Sequence, residues 1–202
     1  MMRLFARVGL FVIALLATWA PAVQAHVEGG EGSSLIAGFL HPMTGVDHVV
    51  AMVAVGLWGA VLGAPALWLL PVAFPMVMAF GGFWGLLDLP LPGVEIGIAI
   101  SGVVLGTLVL LEKRLPLWAA ALLVGMFALF HGHAHGRELP DGANALVFSL
   151  AFVVATGVLH LAGILLGEMR CWPIGRLGVR AAGAAIALTG LWFLQQAVVK
   201  AG

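Results

Sequence analysis

From His48 to Leu87 the chain runs through forty residues without one Asp, Glu, Lys or Arg. A soluble domain carries about 25% charged residues and could not hide so long a run. A helix crosses the hydrocarbon layer of a bilayer in about 20 residues, so this length reads as two crossings joined by a tight turn. The pattern continues down the chain. Apolar stretches near 45–63, 66–87, 93–111, 116–134, 143–166 and 177–198 are predicted as six transmembrane helices, and Ser34 to Leu40 as a short interfacial helix stopped by Pro42. The connectors DLPLPG, EKRLP, HGRELPDG and EMRCWPIGR gather the proline, glycine and charge. The whole chain is 62% hydrophobic and only 9% charged, too little polar surface for a water-soluble fold. Its formal net charge of zero leaves no electrostatic footprint for nucleic acid. The expected fold class is all-α, a polytopic membrane bundle.

The first 25 residues read as a cleavable signal peptide, with Arg3 and Arg7 before the apolar Val8–Ala20 and small residues at Val23-Gln24-Ala25. That divides the chain into a signal at 1–25 and one six-helix domain at 26–202, with His26 as a new terminus on the exported side. Lys113, Arg114, Arg170, Arg176 and Arg180 then fall on the cytoplasmic side, against Arg137 and Lys200 outside, which is the expected basic bias. Glycine is 28 of 202 residues, and Gly59/Gly63, Gly102/Gly106 and Gly163/Gly167 have the spacing that lets membrane helices approach closely. Cys171 is the single cysteine, so no internal disulfide can form.

With this orientation the scarce polar residues gather on the outer side. His41, Asp47 and His48 open the first span, Asp88 closes the second and Glu95 opens the third. The fourth ends in FHGHAHGRE with His131, His133, His135 and Glu138. His160 sits deeper, in the fifth span. A carboxylate in a membrane is expensive and asks for a partner. Imidazole with carboxylate makes a good site for a first-row transition cation. His131, His135 and Glu138 recur at steps of four and three on one helix face, and His133 points the other way. Plainer roles exist for some of them. His160 can be a packing residue hydrogen-bonded to Thr156 one turn away, Asp88 a loop cap, and Glu138, beside Arg137, a solvated charge.

HPMTGVDHVVAMVAVGLW resembles the signature of the HupE/UreJ family of nickel or cobalt permeases, with His41, Pro42, Gly45, Asp47, His48, Met52, Gly56 and Trp58 all in place. VEIGIAISGVVLG, FALFHGHAHGRE and ATGVLHLAGILLG resemble its later motifs. The resemblance implies a multi-pass protein of the bacterial inner membrane that carries Ni2+ or Co2+ inward as a secondary transporter, with no permanent cofactor. By motif position the metal would be held by His41, Asp47 and His48, and further by His131, His135 and Glu138; Glu95 beside the cluster and His160 at a second, deeper position are additional candidate metal ligands. A cytoplasmic metallochaperone for hydrogenase, urease or cobalamin synthesis is the implied acceptor. Nothing marks an enzyme: there is no GxxxxGK[ST], no HExxH and no GxSxG. The rival readings are a haem-binding electron-transfer subunit and a non-transporting metal-binding accessory protein.

Overall fold

The computed structural model describes residues 31–201, so the expected signal peptide and His26 lie outside the described residues. Within them the chain is all helical: α1 (Glu31–Thr44), α2 (Val46–Leu62), α3 (Ala66–Leu86), α4 (Val94–Leu110), α5 (Leu117–Arg137), α6 (Ala145–Glu168), a 3-10 turn at Met169–Cys171, and α7 (Pro173–Ala201). Helices α3, α5, α6 and α7 are long and apolar enough to cross a membrane. Of the other two expected spans, α4 is a shorter apolar helix, and α2 qualifies only jointly with α1, from which it is bent by 78°.

Pro42 does not stop α1, contrary to the sequence-based expectation; it sits inside the last turn. Proline there removes one N–H donor, but tertiary packing outweighs that local loss. The backbone of Gly38 lies so close to Phe148 that a Cβ would overlap the Phe148 carbonyl. The Asn144 amide donates to Ser34 Oγ at 2.9 Å. Asn144 also caps α6, its Oδ1 accepting from the amides of Leu146 and Val147. The actual break comes at Gly45, whose extended backbone turns the chain from α1 into α2.

Close-packed glycines join the helices in three pairs. Gly56 and Gly163 bring α2 and α6 together in parallel; a Cβ on either would overlap a carbonyl of the other helix. Gly81, Gly85, Gly132 and Gly136 do the same for parallel α3 and α5, and Gly102, Gly106, Gly183 and Gly190 for antiparallel α4 and α7. Of the three spacings singled out in the sequence, Gly102/Gly106 and Gly163/Gly167 are helix contacts. Gly59/Gly63 is so only in part: Gly59 faces the start of α3 at ordinary contact distance, whereas Gly63 has φ 79° and closes α2 with open space beside it.

Helices α3 and α4 end alike. Leu89 N–H bonds back to Trp84 O and Asp88 N–H to Gly85 O; Lys113 N–H bonds to Leu108 O and Glu112 N–H to Val109 O. Each is a Schellman stop with its left-handed position filled by an acid rather than glycine, Asp88 at φ 52° and Glu112 at φ 48°. A side chain in that conformation costs about 1 kcal/mol. Both acids hold an arginine: Asp88 meets Arg137 at 3.1 Å, and Glu112 accepts from Arg176 Nε at 2.9 and 2.8 Å. Asp88 is therefore a loop cap. Asp88→Gly should leave the thermal unfolding midpoint nearly unchanged, relief of the backbone offsetting loss of an exposed ion pair.

Trp58 ties the far end of α2 to the α4–α5 connector, its indole N–H donating to Lys113 O at 2.9 Å. Trp58→Phe loses the donor and part of the buried ring volume. It should cost about 2 kcal/mol in thermal unfolding of the purified protein.

Candidate metal site

The bend at Gly45 points the end of α1 and the start of α2 at the last turn of α5. His41 Nε2 lies 3.0 Å from His135 Nδ1 and 3.0 Å from Glu138 Oε2. His135 Nδ1 lies 3.1 Å from the same carboxylate oxygen. These three ligand atoms form a nearly equilateral triangle, and among the described residues His41, His135 and Glu138 are grouped closely enough to share one metal ion. They sit at the mouth: Glu138 is 53% exposed, His41 29% and His135 17%.

Below the mouth the histidines continue inward. His135 Nε2 meets His48 Nδ1 at 2.7 Å. The His48 ring stands 5.3 Å from that of His131, edge to face. Phe74 then touches both His131 and His160, at ring separations of 5.8 and 5.4 Å. Phe152 packs against His41, His48 and His135 and walls the upper part of the column. His48, His131 and His160 are buried, as is Thr156.

Buried polar atoms are nearly always hydrogen-bonded, so each exception is a place that a bound ion, a water or local strain must account for. Among the described residues, His48 Nε2, His131 Nε2, both nitrogens of His160 and Thr156 Oγ1 along the column, and His133 Nδ1 away from it, have no hydrogen-bond partner. His131 Nδ1 donates to Phe127 O at 2.9 Å, which leaves its Nε2 as a bare lone pair in the interior. The expected bond between His160 and Thr156 is not formed.

Other sequence candidates stand apart from the triangle. Asp47 Oδ1 accepts from the His48 amide at 2.9 Å and lies within electrostatic reach of His131. It steadies the start of α2 and adds negative charge beside the column. Glu95 is exposed on α4, with no hydrogen bond or ion pair to the histidines among the described residues. His133 leaves by the other face of α5, its Nε2 donating to Leu89 O at 2.7 Å, and so pins the α3–α4 loop.

Glu138 lies just beyond α5. Its carboxyl is held down to about 2, first by the hydrogen bond from His135 and then by that from His41. Because that value lies below the ordinary 4.5, the pairing stabilises the folded chain above about pH 4.5. The contribution disappears as the pH falls toward 2.

A family model described as HupE / UreJ protein matches residues 13–193 of the chain. Protein HupE of Rhizobium leguminosarum bv. viciae is 46% identical over 167 residues, 83% of this chain and 87% of that protein. No solved structure matches.

Proposed function

The chain belongs to the HupE/UreJ family, and from that premise we propose that it carries a divalent transition-metal ion, Ni2+ or Co2+, inward across the bacterial inner membrane. The observation that carries this reading is the His41–His135–Glu138 triangle standing over a buried column of histidines with free ring nitrogens. The ion is captured at the mouth, where the charged Glu138 offsets its charge. It then passes by His48 and His131 toward His160. His135 serves both ends: with its Nδ1 lone pair on the ion, its Nε2 hydrogen is directed at His48 Nδ1.

The triangle is small enough for its three atoms to share one ion: ligand atoms about 2.1 Å from a metal stand about 3.0 to 3.4 Å apart, and the edges here, which are also ordinary hydrogen-bond distances, are 3.0, 3.0 and 3.1 Å. A set of borderline donors without thiolate also suits an ion that must leave again. The 2.7 Å contact of the His135 ring with His48 leaves no slot for a macrocycle between them and disfavours the haem alternative. A potential negative inside contributes about 2.3 kcal/mol per charge per 100 mV, about twice that for a divalent ion.

The test is uptake of radiolabelled nickel by metal-limited cells, with and without the chain and with excess unlabelled cobalt or zinc as competitor. Uptake should depend on the chain, fall at least tenfold in His48→Ala and Asp47→Asn, and be suppressed by cobalt more than by zinc. Uptake unaffected by deletion of the chain would overturn the reading.

A further inference from the structure

The end of the bundle opposite the histidines holds a second polar site, a cavity of about 330 Å³ lined by Val61, Glu112, Arg114, Arg170 and Arg176. We infer that this cavity binds the phosphate headgroup of an anionic phospholipid, with Arg114 and Arg170 as its principal contacts. The proposal stands apart from the transport reading and does not depend on it.

Three guanidinium groups against one carboxylate leave the lining with excess positive charge. The carboxylate is committed: Glu112 is held by Arg176, whose guanidinium keeps it below the usual carboxylate range. Arg180 just outside is also engaged, its Nε donating to Leu110 O at 3.1 Å. Neither Arg114 nor Arg170 is in an ion pair among the described residues. The Glu112–Arg176 bridge fixes the wall, and the two remaining arginines face an anion-sized space. Such a lining repels a divalent cation, so the cavity is no continuation of the histidine column.

The surroundings favour a lipid over a free phosphate compound. Leu111, Trp172, Ile174 and Leu177, on the connectors and first turns bordering the cavity, are all exposed, Ile174 at 86%. Tryptophan at this level is typical of a membrane–water interface, and basic pockets between helices on the cytoplasmic side take anionic headgroups. A phosphoglycerol headgroup in the cavity would leave its acyl chains against these apolar residues, which a soluble phosphate cannot use.

The test uses the full chain, purified in neutral detergent and titrated with phosphatidylglycerol or phosphatidylcholine, with retained lipid counted by native mass spectrometry. The parent should retain phosphatidylglycerol at least tenfold more tightly than phosphatidylcholine. Arg114→Gln with Arg170→Gln should lose about 25-fold in phosphatidylglycerol affinity, roughly fivefold per charge. If that double variant fails to fold, Arg114→Lys with Arg170→Lys carries the test; it keeps the charge and should stay within about threefold of the parent. Equal retention of the two lipids, unchanged retention by the glutamine variant, or lost selectivity in the lysine variant would overturn the proposal. So would displacement of phosphatidylglycerol by millimolar inorganic phosphate or glycerol phosphate, which would make a free phosphate compound the ligand.

Discussion

Replacing His135 by alanine should abolish metal uptake, lowering the initial rate at least a hundredfold at low external nickel. Among the described residues, no other polar side chain is bonded to both parts of the candidate site. Its Nδ1 faces His41 and Glu138 within about 3 Å, and its Nε2 meets His48 at 2.7 Å. Alanine removes a ligand from the triangle and cuts the link to the column. Loss of a supporting partner alone typically costs 10–100-fold in metal affinity, so loss of a ligand together with the link should exceed that. His135→Asn separates the two roles, since its amide oxygen stands near the Nδ1 position and cannot reach His48. It should retain measurable nickel binding by calorimetry yet transport almost none. A His135→Ala chain that is inserted normally and still transports at a third of the parent rate would remove this residue from the path.

The second large effect should come from Gly132. A methyl group there would overlap the Met78 carbonyl and press on the Gly82 amide, both backbone atoms that cannot rotate out of the way. Overpacking usually costs 1–3 kcal/mol, and a contact with no side chain to yield belongs at about 3 kcal/mol. Gly132→Ala should therefore lower the thermal unfolding midpoint by several degrees and reduce the monodisperse fraction after purification. Gly157→Ala is the matched control: nothing lies within 4 Å of a Cβ at that position of α6, so helix propensity alone should act, by about +1 kcal/mol or less. If the two variants unfold together, close backbone packing of α3 on α5 does not hold the bundle.

Much of this architecture was legible from the sequence, because lipid imposes a plain rule: a backbone crossing hydrocarbon must satisfy its own hydrogen bonds. The apolar runs placed α2 to α7 within a few residues. The α1–α2 bend was not legible, because Pro42 is the strong local signal while the break occurs at Gly45, after packing on Phe148 has carried α1 through the proline. The Gly81/Gly85 and Gly132/Gly136 spacings were visible in the chain but not singled out, and Gly59/Gly63 looked equivalent to them. Spacing alone does not say which face meets a neighbour. At the site, the stripe of His131, His135 and Glu138 on α5 followed from helical periodicity. Which groups converge did not. The meeting of His41 with His135 spans 94 residues of sequence and depends on that bend. Asp47 and Glu138 are both carboxylates beside histidines in sequence; only the fold puts Glu138 in the triangle and turns Asp47 toward its own helix.

The glycine contacts also divide the molecule in a way that matters for the cation. Of the three glycine-joined pairs, α2 locked to α6, with α1 riding on it, carries His41, His48 and His160. The pair α3 locked to α5 carries His131, His135 and Glu138, while α4 with α7 carries none of these residues. An ion seated among them would act as a clasp across the seam between the first two pairs. A small parting of that seam would dismantle the cluster while every helix stayed intact, so grip on such an ion would be governed by the separation of two helix pairs more than by the flexibility of any one side chain.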